Sequence, residues 1–233
     1  YFLEAAGWYG AERHVMQGDA STRSYERLKK DGASAVLMNA PYEAGPAKSV
    51  KPYHEIALLA QDVKPFVAVA LGLTERGFSA PNIFAMDFDN GFLLMEDIGD
   101  EKIANDKGPI AERYVAAVEV LAHLHGLALP EMLPITDRIS YTIPPYSIPA
   151  FVIEVEQFTE WYLPHIGVPH IAQRNKEAFS ALWADALAPV LKGRKTWTLR
   201  DYHSPNLIWR PGRDGHARLG VLDFQDAMRG PTA

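Results

Sequence analysis

Leu199-Arg200-Asp201-Tyr202-His203-Ser204-Pro205-Asn206, followed downstream by Leu222-Asp223-Phe224-Gln225-Asp226, is the stretch on which the reading of this chain turns. An Asp stands five residues before an Asn, and a second Asp arrives seventeen residues after that Asn. Thr196-Trp197-Thr198-Leu199 is β-branched and aromatic and predicts a strand entering the segment. Leu207 to Arg210 predicts the strand that leaves it. Pro211-Gly212-Arg213-Asp214-Gly215 is turn chemistry, and Ala217 to Leu222 returns as a second strand with Asp223 at its end. Strand, turn and strand bring Asp223 back beside Asn206, where two oxygen ligands can share one metal ion. The plain alternative is an ordinary hairpin with polar turn residues. The Asp-Phe-Gln-Asp tail, in register with the hairpin, argues against it.

This spacing matches the kinase catalytic loop and its metal-binding Asp. Phosphoryl transfer needs a carboxylate to orient the acceptor hydroxyl, and oxygen ligands to hold Mg²⁺ against the phosphates. Asp201 fits the first role; Asn206 and Asp223 fit the second.

Working outward, 233 residues suffice for one large domain or two small lobes. The hydrophobic share of 48% and charged share of 22% are those of a globular protein. No apolar run reaches the roughly 18 residues of a membrane span, and nothing resembles a leader peptide. A net charge of −6 argues against nucleic-acid or anionic-membrane partners. Cysteine is absent, which excludes disulfides and thiolate metal sites and fits a reducing cytoplasm. The chain opens at Tyr1 and stops at Pro231-Thr232-Ala233, soon after the metal-binding segment, so a truncated C-terminus is expected.

His14 to Gln17, Ser24 to Lys29 and Ala35 to Met38 predict three strands; Tyr42 to Pro52 predicts an exposed loop. His54 to Gln61 and Pro65 to Arg76 carry helical spacing, the second closed by Gly77. Ile83 to Met86 and Phe92 to Met95 flank Asp89-Asn90-Gly91, a hairpin turn. Helical periodicity then runs over Ile110 to Leu127, Phe151 to Tyr162 and Ile171 to Leu191, with a proline-rich extended connection from Pro130 to Pro149. A sheet-rich half, 1–97, therefore precedes a helical half, 98–233, that carries the Asp201 hairpin. The cleft between two such lobes suits a nucleotide.

With these elements in place, the chain resembles the aminoglycoside phosphotransferase-type small-molecule kinases over nearly its whole length. Arg-Asp-Tyr-His-Ser-Pro-Asn-Leu at 200–207 is similar to their Gly-Asp-x-His-x-x-Asn-Leu loop, and Leu-Asp-Phe-Gln-Asp-Ala at 222–227 to their metal-binding segment. Leu121 to His125 resembles the Leu-His helix end, and Phe92 to Gly99 the lobe linker. A closer resemblance is to the bacterial cell-wall sugar kinases of this family, which phosphorylate the anomeric hydroxyl of N-acetylmuramate and N-acetylglucosamine. It rests on Gly18-Asp19-Ala20-Ser21-Thr22-Arg23, Val36 to Pro41, Asp62 to Phe66 and Asp223 to Ala227. The resemblance implies an α+β, protein-kinase-like two-lobed fold, with an antiparallel sheet in the N-lobe and a mainly helical C-lobe. It implies ATP and Mg²⁺ as cofactors and a sugar as substrate. Some relatives are fused to an ATPase subunit of tRNA threonylcarbamoyladenosine synthesis, so a fused or partner subunit of that kind is a further expectation.

Three departures from the pattern matter for the site. Residues 35–40 carry no Lys to hold the α- and β-phosphates, Leu199 stands where the family often has His, and Asn39 stands where the branch usually has Asp. Ser21, Thr22 and Arg23 are therefore the candidate phosphate contacts, with Arg23 replacing the Lys and Lys48 and Lys51 as alternatives. Glu96 and Ile98, at the lobe junction, are the candidate adenine contacts through their backbone. Glu55 reads as a solvated helix residue, and so do Glu154, Glu156 and Glu160. His123 and His125, at i and i+2, face apart and read as structural. His203 is a candidate support for the loop or neighbour of the acceptor. Asp226 is a candidate supporting or substrate contact. Tyr146, Trp161, Tyr162 and Trp183 could stack on a sugar ring, but their helical spacing predicts core. Two rivals remain at this stage: a kinase for another acceptor, such as an aminoglycoside, and a nucleotide-binding pseudokinase.

Overall fold

The computed structural model describes residues 1–17, 23–42, 53–168 and 170–232. Ser21, Thr22, Lys48 and Lys51 lie outside these residues. A short helix α1 (Phe2–Ala5) leads into strands β1 (Glu12–Val15), β2 (Ser24–Lys30) and β3 (Ala33–Asn39). Two helices follow, α2 (Tyr53–Ile56) and α3 (Lys64–Thr74), and then β4 (Ile83–Asp87) and β5 (Phe92–Glu96). The five strands form one antiparallel sheet in the order β1-β2-β3-β5-β4. Asp31 and Gly32 close the β2–β3 hairpin, both with positive φ, which the tight primed turn requires.

The centre of the sheet buries both faces. Residues of β3 and β5 alternate between two apolar clusters, as the period of two demands. Val36, Met38, Leu93 and Met95 join α3 in the main core; Ala35, Leu37 and Leu94 pack instead under Phe2, Leu3 and Trp8 at the N-terminus. Gly91 fixes the β4–β5 connection against β3. Its φ is +70°, and a Cβ there would stand 2.1 Å from the carbonyl oxygen of Ala40. Gly91→Ala is expected to lower stability by about 1–3 kcal/mol, since both the backbone angle and the contact oppose a side chain. A thermal melt indistinguishable from the parent would refute this account of the turn.

The helical half starts with a small ladder, β6 (Ala104–Asn105) and β7 (Gly108–Pro109), and continues with α4 (Ala111–Gly126). The proline-rich connection is extended, as expected, and folds on itself as β8 (Met132–Pro134) and β9 (Ser140–Thr142). Then come α5 (Ile148–Gln157), a π-turn at 158–162, α6 (Leu163–His165) and α7 (Gln173–Leu187). Four strands close the described chain: β10 (Lys195–Thr198), β11 (Leu207–Trp209), β12 (Leu219–Val221) and β13 (Met228–Pro231). The hairpin is β11 on β12; β10 pairs with β13 instead. One core joins the two halves. Phe66 of α3 meets Phe224 at 4.8 Å between ring centroids, and Trp197 of β10 packs so close to α3 that Gly72 has no room for a Cβ. No helix among the described residues is long and apolar enough to cross a membrane.

The structure corrects three expectations. The helix over His54 to Gln61 stops at Ile56, because Leu58 takes a left-handed φ of 56°. Trp161, Tyr162 and Trp183 are exposed, not core: α5 and α7 pack on one another, and α7 buries none of its residues. Tyr146 is buried as expected. Glu154 and Glu156 are not solvated. Glu154 pairs with Arg200 and Tyr146, and Glu156 accepts a hydrogen bond from Ser180 at 2.9 Å. Glu55 is exposed, as read from the sequence.

Candidate active site

Leu199 is 4% exposed, so burial in the core anchors the loop at this position. Beyond it Arg200 takes a φ of 63°. A left-handed non-glycine residue is held only where its surroundings over-determine it. Here Arg200 Nη1 donates to the Ala57 carbonyl at 2.9 Å, its other nitrogen pairs with Glu154, and its guanidinium lies over the Tyr146 ring. The Tyr146 hydroxyl in turn donates to Glu154 at 2.9 Å. Arg200 and Glu154 were not singled out as site residues from the sequence. Arg200 occupies the position of the family's loop Gly, and that departure was the available signal.

With Arg200 fixed, the next turn is tight. Asp201 N donates to Leu199 O at 2.8 Å, and Asp201 O accepts from His203 N at 3.0 Å and from Asn206 Nδ2 at 3.0 Å. Asp201 is an exposed residue of the loop, but the atoms around its carboxylate partly bury that group. That burial, and then the Asp223 charge, push its carboxyl above the usual aspartate range, while Arg200 pulls the other way. His203 sits beside Asn206, ring nitrogen to amide nitrogen at 3.3 Å.

The hairpin brings the two candidate metal ligands together as expected. Leu222 N donates to Asn206 O at 2.9 Å, and Asn206 Nδ2 donates to Asp223 Oδ2 at 3.3 Å. Asp223 is also left-handed, with φ 56°. Its other oxygen, Oδ1, accepts from Gln225 Nε2 at 2.8 Å and from Arg23 Nη2 at 3.2 Å. Arg23 is thus held against the Asp223 carboxylate. The Asn206 amide nitrogen serves Asp201 and Asp223, which leaves its oxygen as the side available to a cation.

Asn206 and Asp223 close one end of a cavity of about 200 Å³. Apolar side chains of Met16, Tyr25, Val36, Phe66 and Met95 form its walls, and residues 96–99 form the other end. An apolar slot between a linker backbone and a pair of oxygen ligands can take a flat base at one end and phosphates at the other. The Glu96 side chain is engaged by Arg210 and by Asn82 Nδ2 at 2.6 Å, so at this position only backbone remains for a base. Ile98 is buried at the same edge. Arg27 is the cation of β2 that lines the cavity, but Asp97 holds it at 2.8 Å. Burial acts to raise the Asp97 carboxyl; the hydrogen bonds from Ser34, Arg27 and Gly99 outweigh it and hold it below the usual range.

Among the described residues no group of three or more His, Cys, Asp or Glu converges as a metal cage. Two protein oxygens are nevertheless a fit for Mg²⁺, which keeps several waters and binds through one or two protein ligands plus phosphates. His123 and His125 take no part. His123 stacks on His216 at 4.2 Å, and burial lowers the affinity of His125 for a proton.

The phosphotransferase enzyme family model matches residues 14–233. The chain belongs to that family. It is 35% identical to the N-acetylmuramate/N-acetylglucosamine kinase of Caulobacter vibrioides, over 97% of this chain and 66% of that protein. It is 29% identical to the Pseudomonas aeruginosa protein of the same name, over 98% of this chain and 60% of the relative. The chain therefore spans less than two thirds of the length of these relatives. The fold is shared with an aminoglycoside-3'-phosphotransferase of type VIII (TM-score 0.53, 16% identity, 99% of this chain and 78% of that one). It is shared equally with a choline kinase from Streptococcus pneumoniae (TM-score 0.57, 13% identity, 98% and 68%). The protein-kinase-like α+β fold expected from the sequence is the one found.

Proposed function

We propose that the full-length protein transfers the γ-phosphoryl group of ATP to the anomeric hydroxyl of N-acetylmuramate and N-acetylglucosamine. The observation that carries the reaction class is the meeting of Asn206 and Asp223 at one end of the cavity, with Asp201 on the loop between β10 and β11. The relatives' names carry the acceptor. They outweigh an aminoglycoside acceptor, because the aminoglycoside kinases share the fold at low identity.

In this reading Asp201 orients the sugar hydroxyl and takes its proton. The oxygen so exposed forms the new bond to the γ-phosphorus, and the bond from that phosphorus to the β–γ bridging oxygen breaks, leaving ADP. Asn206 and Asp223 would hold Mg²⁺, which would neutralise charge on the phosphates. In this reading Arg23 contacts the phosphates, a role the sequence also assigns to Ser21 and Thr22, and the backbone at Glu96 and Ile98 reads adenine. Arg23 then exchanges its contact with Asp223 for one with the nucleotide. We place the reaction in the cytoplasm, where ATP is supplied. The names of these relatives lend no support to a fused or partner ATPase subunit.

Incubating the full-length protein with Mg-ATP and a panel of amino sugars and aminoglycosides, and reading product mass, tests the proposal. A gain of one phosphate on N-acetylmuramate or N-acetylglucosamine, lost on mild acid as expected of an anomeric phosphate, is the expected result. Phosphorylation of an aminoglycoside alone would overturn the acceptor. ATP binding without any product would favour the pseudokinase.

A further inference from the structure

We propose that Gln225 and Asp226 are positioning residues that tie the metal-binding carboxylate of Asp223 to the segment joining α2 and α3; the proposal rests on the kinase reading above. The chain of contacts is continuous. The backbone N–H of Ala60 donates to Asp226 Oδ1 at 2.6 Å. Asp226 Oδ2 accepts from Gln225 Nε2 at 3.0 Å, and the same amide nitrogen donates to Asp223 Oδ1 at 2.8 Å. One NH₂ group thus spends both hydrogens on two carboxylates.

Gln225 is 3% exposed, and its amide oxygen is buried with no protein partner. An unpaired buried carbonyl is unfavourable. Turning the amide over would not relieve it, because the oxygen would then face two carboxylates. The side chain is therefore locked with its nitrogen toward Asp223, and Asp226 is half of the lock. Asp226 is itself set by Ala60. Three residues away, Ala57 is held by Arg200 from the catalytic loop. The segment at 57–60 is thus gripped from the base side and from the metal side, so a displacement of this segment would move both. Phe224, between Asp223 and Gln225, is fully buried against Phe66 of α3, which gives the relay a rigid floor.

Two variants separate positioning from mere packing. Gln225→Met keeps volume and loses both donated bonds. Asp226→Asn keeps an acceptor for Ala60 but turns an NH₂ toward Gln225, so the Gln225 amide must rotate and present its oxygen to Asp223. The measurement is ADP binding to full-length protein by calorimetry, across a Mg²⁺ titration and in excess EDTA. Each variant is expected to need on the order of tenfold more Mg²⁺ for half-maximal effect, the scale of losing an outer contact to a metal ligand. Affinity in EDTA should stay within about twofold of the parent, because neither side chain lines the base pocket. A Mg²⁺ midpoint unchanged in folded Gln225→Met overturns the relay. So does an equal loss with and without Mg²⁺, which is what loosened packing would give. Should Gln225→Met fail to fold, Asp226→Asn decides by the same two readings. A parent protein whose ADP binding ignores Mg²⁺ sinks the kinase reading itself, and is recognised before any variant is made.

Discussion

Asp201→Asn is expected to reduce turnover by a factor of roughly 10²–10⁴, the range for losing a general base. The substitution changes one atom and keeps the loop. The contacts that shape this turn use the Asp201 backbone: its N–H to Leu199 and its carbonyl to His203 and Asn206. Nucleotide affinity should therefore change little, and kcat alone should fall. A variant that phosphorylates the amino sugar at near the parent rate would remove Asp201 from the chemistry. The parent adds a second check. Burial, followed by the Asp223 charge, raises the Asp201 carboxyl above its ordinary value of 3.8. The base works only when ionised, so raising its pKa widens the acid range in which it is protonated and idle. In kcat/KM, which reports the free enzyme, activity should fall on acidification at a pH above that value. The same limb should be missing from the residual activity of Asp201→Asn.

The hairpin could be read from the sequence because its signals are local. Leu207 to Trp209 and Leu219 to Val221 are short apolar runs, each with one β-branched residue, Ile208 and Val221; the turn between them contains Gly and Pro, and the register follows from the turn. Asp223 therefore falls beside Asn206 with no tertiary information. Resemblance then extended this to the two-lobed fold. What stayed hidden was non-local or specific to this chain. The pairing of β10 with β13 joins Trp197 to Arg229 across the whole hairpin, and nothing in either short segment names its partner. Glu154 reads as solvated because its acidic neighbours Glu156 and Glu160, at i+2 and i+6, spread charge around a helix. Its role depends on Arg200 arriving from 46 positions later in the chain. The segment at 54–61 kept a helical spacing, but the left-handed Leu58 and the grip of Arg200 on Ala57 override that propensity. Exposed Trp161 and Trp183 follow the helical period as well as a buried stripe would, since periodicity gives a face and not its cover.

Asp223→Asn should nearly abolish turnover, and for a different reason from Asp201. Asn tolerates a left-handed backbone, so the φ of 56° at this position survives the change. Size and hydrogen-bonding reach survive as well. The loss is the negative charge that faces Arg23 at 3.2 Å and would face Mg²⁺. Metal stabilisation of phosphoryl transfer amounts to several kcal/mol, which corresponds to a loss on the order of 10³-fold or more. Unlike Asp201→Asn, this variant should also bind Mg-nucleotide poorly, and binding in EDTA should be spared. Arg23 gives the complementary case. Arg23→Ala removes the cation that shares Asp223, and with no Lys in residues 33–39 of β3 it should raise KM for ATP while leaving Mg²⁺ dependence in place. Comparing the two variants by nucleotide binding with and without Mg²⁺ assigns the charge at this end of the cavity. If Asp223→Asn kept parent affinity for Mg-ADP, the carboxylate would not be a metal ligand, and the hydrogen bond from Asn206 Nδ2 to Asp223 Oδ2 would be a hairpin contact alone.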